Sequence, residues 1–217
     1  MVAAAVRCDP AALPADVDDS KQVAPDRRKA IAAELRDRED VAVGVGIVKP
    51  TEIDDPETDM NSLTVAAQAR AIASVVDVGD EEYPRNEERA GDGDCEAVVD
   101  AGDVSESRFG RRVADAVTDR VARDVSVDAE HGADETYPIV SAASVVAKVE
   151  RDARIAAIDD EYPEYDVGSG YPSDPTTRCF LEAYVAATGR IPDCARRSWS
   201  TCEQVLAAAE QSGLDEF

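Results

Sequence analysis

Short apolar runs alternate along this chain with longer stretches in which apolar residues return every three or four positions. Val2–Val6 is an uninterrupted run of strand length, and Val41–Val48 (VAVGVGIV) reads as a buried strand whose glycines alternate with valines. Ala97–Val99 is a third run that ends at Asp100, and Val125, Val127 and Ala129 alternate with polar neighbours as a half-buried strand does. Helix signals fill the intervals. Pro25 and Asp26 stand in a first turn ahead of KAIAAELRDR, and Asp59 is placed to cap a helix with Met60, Leu63, Ala67, Ala71 and Val75 on one face. Phe109, Val113, Val117 and Val121 recur every four residues within 105–123, the stripe of an amphipathic helix. A long helix spans Val140–Ile158, the GSGYPSDP loop follows, Gly189 stops a helix over Pro175–Thr188, and Ser198–Gln211 forms a last one. Strands and helices alternate early and helices gather late, which predicts an α/β domain over 1–160 with a helical part, 161–217, belonging to the same domain. The stretch 77–96 (DVGDEEYPRNEERAGDGDCE) breaks every periodicity and reads as a solvated acidic loop.

Composition adds a constraint on the surface. Of 217 residues, 44% are hydrophobic, enough for a real core, and no run approaches the roughly 20 apolar residues of a spanning helix. With no basic-then-apolar leader pattern either, the expectation is a cytoplasmic protein without membrane contact. Lys+Arg is 23 against Asp+Glu 47, a net charge of −24, and only four of the cations are lysines. A field this negative repels polyphosphates at low salt. It also keeps a protein soluble in concentrated salt, where the Debye length falls to about 3 Å at 1 M, and that halophilic reading removes the objection to a nucleic-acid partner. The charge is uneven: 141–154 and 168–202 each sum to +1, leaving −26 on the rest. Those two stretches hold Lys148, Arg151, Arg154, Arg178, Arg190, Arg196 and Arg197, a surface kept free of excess anions where a phosphate backbone fits.

The candidate chemistry is carboxylate chemistry. Five cysteines without a CxxC pair and one histidine, His131, fit free thiols better than a zinc site or a disulfide framework. A carboxylate ending a buried strand is costly unless it is paired, hydrogen-bonded or bound to metal. Asp100 ends AVVD, Asp103 follows it in VVDAGDV, and Asp134 in EHGADETYP directly precedes the long helix. Oxygen-only ligands point to Mg²⁺ or Mn²⁺, and two such ions clamp the attacking and leaving oxygens of phosphoryl-ester hydrolysis. Among 28 aspartates, though, an arbitrary one is a solvated surface charge. Tyr171 in its glycine-rich loop is either an anchor packed on the body or a platform for a sugar or base. Arg196 and Arg197, beside Ser198 and Trp199, fit phosphate contact and structural ion pairing equally.

Longer strings carry a resemblance. YPIVSAASVVAKVERDARI, GSGYPSDPTTRCFLEAY and ARRSWSTCEQV, with DVDDSKQVAPDRR and VVDAGDVSESRF, together resemble ribonuclease HII of the archaeal type from Val2 to about Val205. The resemblance implies a ribonuclease H-like mixed β-sheet flanked by helices, with a helical C-terminal part. It implies an endonuclease that hydrolyses the RNA strand of RNA–DNA hybrids and cuts at ribonucleotides embedded in duplex DNA. Two divalent ions, Mn²⁺ or Mg²⁺, would assist attack by water, leaving a 3′-hydroxyl and a 5′-phosphate. Asp100 matches the third active-site acid of the family and Asp134 the fourth. Tyr171 matches the tyrosine that stacks near the ribose at the DNA–RNA junction. Ser20 and Lys21 match the DSK segment beside the active site, and Lys148 matches the AKVERD lysine, both implying backbone contact.

One departure stands out. The family opens on a strand with a DEAGRG-type motif that brings the first two metal-binding acids, and MVAAAVR matches the stretch just beyond it. Asp9 and Asp16 do not replace those acids, since neither is followed by the AG-R-G pattern. The expectation is therefore a first central strand absent as written, a misassigned start or a truncation, and an alternative reading as a catalytically defective hybrid-binding remnant. A monomer is expected, with Leu214–Phe217 an LxxF-like ending reminiscent of a sliding-clamp peptide, against which stands simple fraying of a terminus.

Overall fold

The computed structural model describes residues 1–15, 17, 24–76 and 95–214. They divide into two compact units. The first comprises Met1–Val48 with Met60–Glu150, the second Lys49–Asp59 with Arg151–Phe217.

The first unit is built on four strands. β1 (Val2–Cys8) pairs antiparallel with β2 (Val41–Ile47), and β3 (Cys95–Asp100) pairs parallel with β4 (Val125–Glu130). Both ladder types thus occur, and among the described residues no hydrogen bonds join the two pairs. α1 (Pro25–Asp37) joins β1 to β2, α3 (Met60–Val76) precedes β3, and α4 (Glu106–Thr118), capped by Ser105 Oγ, crosses from β3 to β4. β3 starts at Cys95, so the last two residues of the predicted acidic loop belong to a strand; the rest of that loop, 77–94, lies outside the described residues.

Strand periodicity sends alternate side chains to two cores. Ala5, Cys95, Ala97 and Val99 join Val65, Ile72, Phe109, Val113 and Val117 of α3 and α4. Ala4, Val6, Val41, Val43 and Val45 join Ile31 and Leu35 of α1 and Val145 and Val146 of α6 (Pro138–Glu161). The β1–β2 pair is therefore covered on both faces. The glycines of VAVGVGIV now have a cause: a Cβ on Gly44 or Gly46 would collide with the carbonyl oxygens of Ala71 or Ala67 on α3, so main chain lies directly against main chain. Of the predicted α3 face, Leu63, Ala67, Ala71 and Val75 are buried while Met60, at the first turn, is exposed.

The second unit contains the end of α6 from Arg151, the short α2 (Pro50–Ile53), α7 (Pro175–Thr188) and α8 (Ser200–Leu214). Phe180, Leu181, Val185, Cys202 and Val205 form its core, and Tyr162, Tyr165 and Tyr184 surround Phe180 at ring distances of 5.2–6.1 Å. Gly189 at φ 71° ends α7 as predicted, in a left-handed conformation that other residues reach at a cost. Among the described residues, no helix is long and apolar enough to cross a membrane.

Candidate active site

Asp100 stands at the last position of β3 with its side chain exposed. One carboxylate oxygen accepts the Gly132 N–H at 2.9 Å, a turn that Gly132 allows by adopting φ 66°. Directly after it comes α5 (Ala133–Thr136), a single helical turn not anticipated from the sequence, which holds Asp134 in its first turn. Asp100 and Asp134 line one cavity of about 410 Å³. Here the structure brings together two predicted residues that are 34 positions apart.

Asp103 behaves differently. It is 7% exposed, and Arg108 holds both its oxygens, Nη2 at 2.6 and 2.7 Å and Nε at 3.0 Å. That fork, the strongest form of charge-assisted hydrogen bond, holds its carboxyl below the usual range. Asp103 is thus a structural acid three residues beyond the end of β3, and Asp100 is the one left open. On the neighbouring strand Glu130 accepts from the Tyr137 hydroxyl at 2.7 Å, which, with burial, pushes the phenol up.

Two carboxylates are a partial fit to a pair of hard divalent ions, which together take many more oxygen ligands. Among the described residues, no group of three or more His, Cys, Asp or Glu side chains gathers. The main-chain N–H of His131 donates to Glu106 Oε1 at 2.8 Å. Lys148 is on the exposed side of α6, and Ser20, Lys21 and Asp16 lie outside the described residues. Asp9 is spent on a local turn, its Oδ1 accepting from Ala11 N at 2.8 Å.

In the second unit the GSGYPSDP loop is tightly held. Asp174 caps α7, accepting from Thr176 N at 3.0 Å and Ser169 N at 2.6 Å, and these bonds lower its carboxyl to about 2. Thr177 Oγ1 accepts from Gly170 N at 2.9 Å and donates to the Val167 carbonyl at 2.8 Å. Gly168 and Gly170 take φ of 68° and 71°, so the chain folds back twice within three residues. The loop lifts Tyr171 outward, 52% exposed, with the Arg151 guanidinium 3.9 Å from the ring centroid and its Nη2 bound to the Ser169 carbonyl at 2.7 Å. Tyr171 is thus half exposed, with Arg151 covering one face of its ring. Arg197 and Ser198 are positioned through Asp54, which accepts both backbone N–H groups at 2.8 and 3.0 Å, while Arg196 lies 5.4 Å over the Trp199 ring.

Sequence reasoning passed over Gln68, Asp54 and Asp174. Gln68 carried a signal, a lone amide in the apolar stretch LTVAAQARAIASVV; Asp54 and Asp174 are two among 28 aspartates, and nothing local marks them.

An antiparallel and a parallel strand pair covered by helices, with an open carboxylate where β3 ends, are of the ribonuclease H-like class of α/β proteins, as the structural likeness to solved ribonuclease HII chains shows. The particular family follows from comparison: the ribonuclease HII family model matches residues 1–202, and the chain belongs to that family, hydrolases of the endoribonuclease class. It is 54% identical to the ribonuclease HII of Haloarcula marismortui, over all of this chain and 92% of that protein, and 55% identical to that of Halobacterium salinarum with the same coverage. The ribonuclease HII in the PCNA:RNase HII complex of Archaeoglobus fulgidus superposes with a TM-score of 0.73 at 33% identity, over 100% of this chain and 92% of that one. Haloarchaeal relatives fit the acid-rich, lysine-poor composition.

Proposed function

We propose that this protein is a halophilic endonuclease that hydrolyses the RNA strand of RNA–DNA hybrids and cuts at ribonucleotides embedded in duplex DNA. Water attacks the phosphodiester, leaving a 3′-hydroxyl and a 5′-phosphate. The observation that carries the reading is the pair Asp100 and Asp134 on one cavity, in a chain whose family is ribonuclease HII. These two acids would supply ligands to divalent ions, Mn²⁺ or Mg²⁺. A divalent ion there would polarise the phosphodiester and lower the pKa of the attacking water.

The other named residues bind. Tyr171, backed by Arg151, offers an aromatic face to a sugar or base, and Lys148, Arg196 and Arg197, with Ser20 and Lys21, contact the phosphate backbone. At the molar salt this surface suits, screening shortens the reach of the net charge to a few ångströms, so local cations decide the contact. The protein acts as a cytoplasmic monomer; the clamp complex of the Archaeoglobus relative makes Leu214–Phe217 a candidate clamp-binding tail.

A second reading, hybrid binding without cleavage, is favoured by the partial ligand set. One experiment separates them: a duplex with a single ribonucleotide, in molar KCl, with Mn²⁺ or with EDTA. Cleavage in Mn²⁺ alone supports the nuclease, and tight binding without cleavage in both conditions supports the second reading. Neither binding nor cleavage would overturn both.

A further inference from the structure

Among the described residues, only three large apolar side chains are exposed: Met60, Tyr171 and, at 91%, Val104. Val104 stands four residues past Asp100, in the short loop that leaves β3 and enters α4. A lone apolar side chain on a surface carries no meaning by itself. The loop that presents this one does, because its other four residues, Ala101, Gly102, Asp103 and Ser105, are all fixed in place.

Ala101 N donates to the Glu130 carbonyl at 2.9 Å. Gly102 lies so close to α3 and α4 that a Cβ there would stand 3.0 Å from Thr64 Cγ2 and 3.3 Å from the Phe109 ring. Asp103 is locked in the Arg108 fork, and Ser105 caps α4, its Oγ accepting from Arg108 N at 3.4 Å. Both ends of the loop also hang from one turn. Gly132 N donates to Asp100 at 2.9 Å, and the N–H just before it, that of His131, donates to Glu106 at 2.8 Å. The height of Val104 is therefore set relative to the Asp100 carboxylate, and its two methyl groups are the part of the loop left in water.

We infer that Val104 is a substrate-binding residue that packs on sugar faces of the hybrid beside the phosphate Asp100 serves, an inference that rests on the nuclease reading above. Four residues span at most about 14 Å, so the side chain reaches nucleotides within a few steps of that phosphate. An A-form helix presents its sugars in a wide, shallow minor groove that is recognised by shape, and methyl groups held at a fixed height suit C–H faces there. The local charge agrees. Residues 101–112 hold three arginines against two acids in a chain of net −24, so a polyanion is not turned away from this loop. Concentrated salt gives the contact a purpose, because ion pairing with phosphates weakens as salt rises and apolar contact does not.

The test titrates a fluorescent RNA–DNA hybrid with the full chain in EDTA over a series of molar KCl concentrations. Val104→Ser, which removes both methyl groups, should weaken binding by about tenfold, and Val104→Leu, which stays apolar, should remain within about threefold of wild type. The slope of log affinity against log salt should be unchanged in Val104→Ser, whereas Arg197→Gln should make it shallower by about one. In Mn²⁺ the loss in Val104→Ser should fall on KM and not on kcat, and Tm should not move, since the side chain packs on nothing in the free protein. Val104→Ser binding as tightly as a wild type that itself binds would overturn this inference alone. So would a leucine variant as weak as the serine one, a shallower salt slope in Val104→Ser, or a Tm lower by several degrees. A wild type that fails to bind the hybrid would overturn it together with the nuclease reading.

Discussion

The loop around Tyr171 and the cavity edge beside Asp100 are built on opposite principles. In 168–174 nearly every polar group is answered: Asp174 takes three donors, Thr177 Oγ1 both accepts and donates, and two left-handed glycines set the path. Along β1 and β3, a row of main-chain groups faces open space, and one buried amide oxygen is unanswered. A loop that must hold an aromatic ring in water cannot borrow rigidity from a core, so it makes its own from local hydrogen bonds. A strand gets its rigidity from its ladder partner and from the helices packed on its faces, as β1 does from β2, α3 and α6. The loop is therefore held by local hydrogen bonds, and the strands are held by their ladders and by packing against helices.

The widest separation between the two regions should appear in cleavage. Asp100→Asn keeps the size and the acceptor that Gly132 uses but loses the charge that a divalent ion needs. Loss of metal-assisted stabilisation worth several kcal/mol corresponds to a rate drop of about 10³-fold, with hybrid affinity little changed. Single-turnover cleavage beside a binding isotherm would show it, and a drop of only a few-fold would remove Asp100 from the metal site. Next comes Gly46→Val, which probes whether unit one is slack or merely open at one edge. The added side chain runs into the Ala67 carbonyl, backbone that cannot swing aside, so a loss of about 3 kcal/mol is expected in chemical denaturation. A cost near zero would mean that α3 is free to lift off the strands.

Much of this fold was legible because its elements carry strong periodic patterns. The strand limits of VAVGVGIV, the stripe of Phe109, Val113 and Val117, and the Pro175–Gly189 helix follow from burial and capping rules that act over a few residues. Asp100 was legible as a carboxylate at a strand end, but what separates it from Asp103 is an arginine one helical turn on, and which acid Arg108 takes is decided by the turn between β3 and α4. α5 escaped because one helical turn has no periodicity to show. The Arg151–Tyr171 stack joins residues 20 positions apart, and the cavity lined by β1 and β3 joins residues about 90 apart; neither pairing leaves a mark in local sequence.

Removing the Tyr171 ring should cost less than either change above. Tyr171→Ala takes away a half-exposed platform, so stability should stay within about 0.5 kcal/mol, while hybrid affinity falls by the roughly 1–3 kcal/mol that one stacked base is worth. Tyr171→Phe, keeping the ring, should recover most of it in a fluorescence anisotropy titration. A stability loss larger than the affinity loss would instead make the tyrosine an anchor.

The smallest effect is the most specific to the finished loop. Asp174 has a carboxyl pKa of about 2 in the folded protein against an ordinary 3.8, lowered by the donors of Ser169, Thr176 and Thr177. A depressed folded pKa means that the charged form is preferred in the native state, so its stabilisation is present above about pH 4 and is lost as pH falls from there to about 2. Many other carboxylates are protonated over the same range, which makes the acid unfolding of the wild type alone uninformative. The difference between wild type and Asp174→Asn isolates this one group. The Tm gap, measured by circular dichroism in molar KCl, should be largest near neutral pH and close steadily between pH 4 and pH 2. A gap that stays constant through that window would mean that Asp174 holds the loop by its shape and not by its charge.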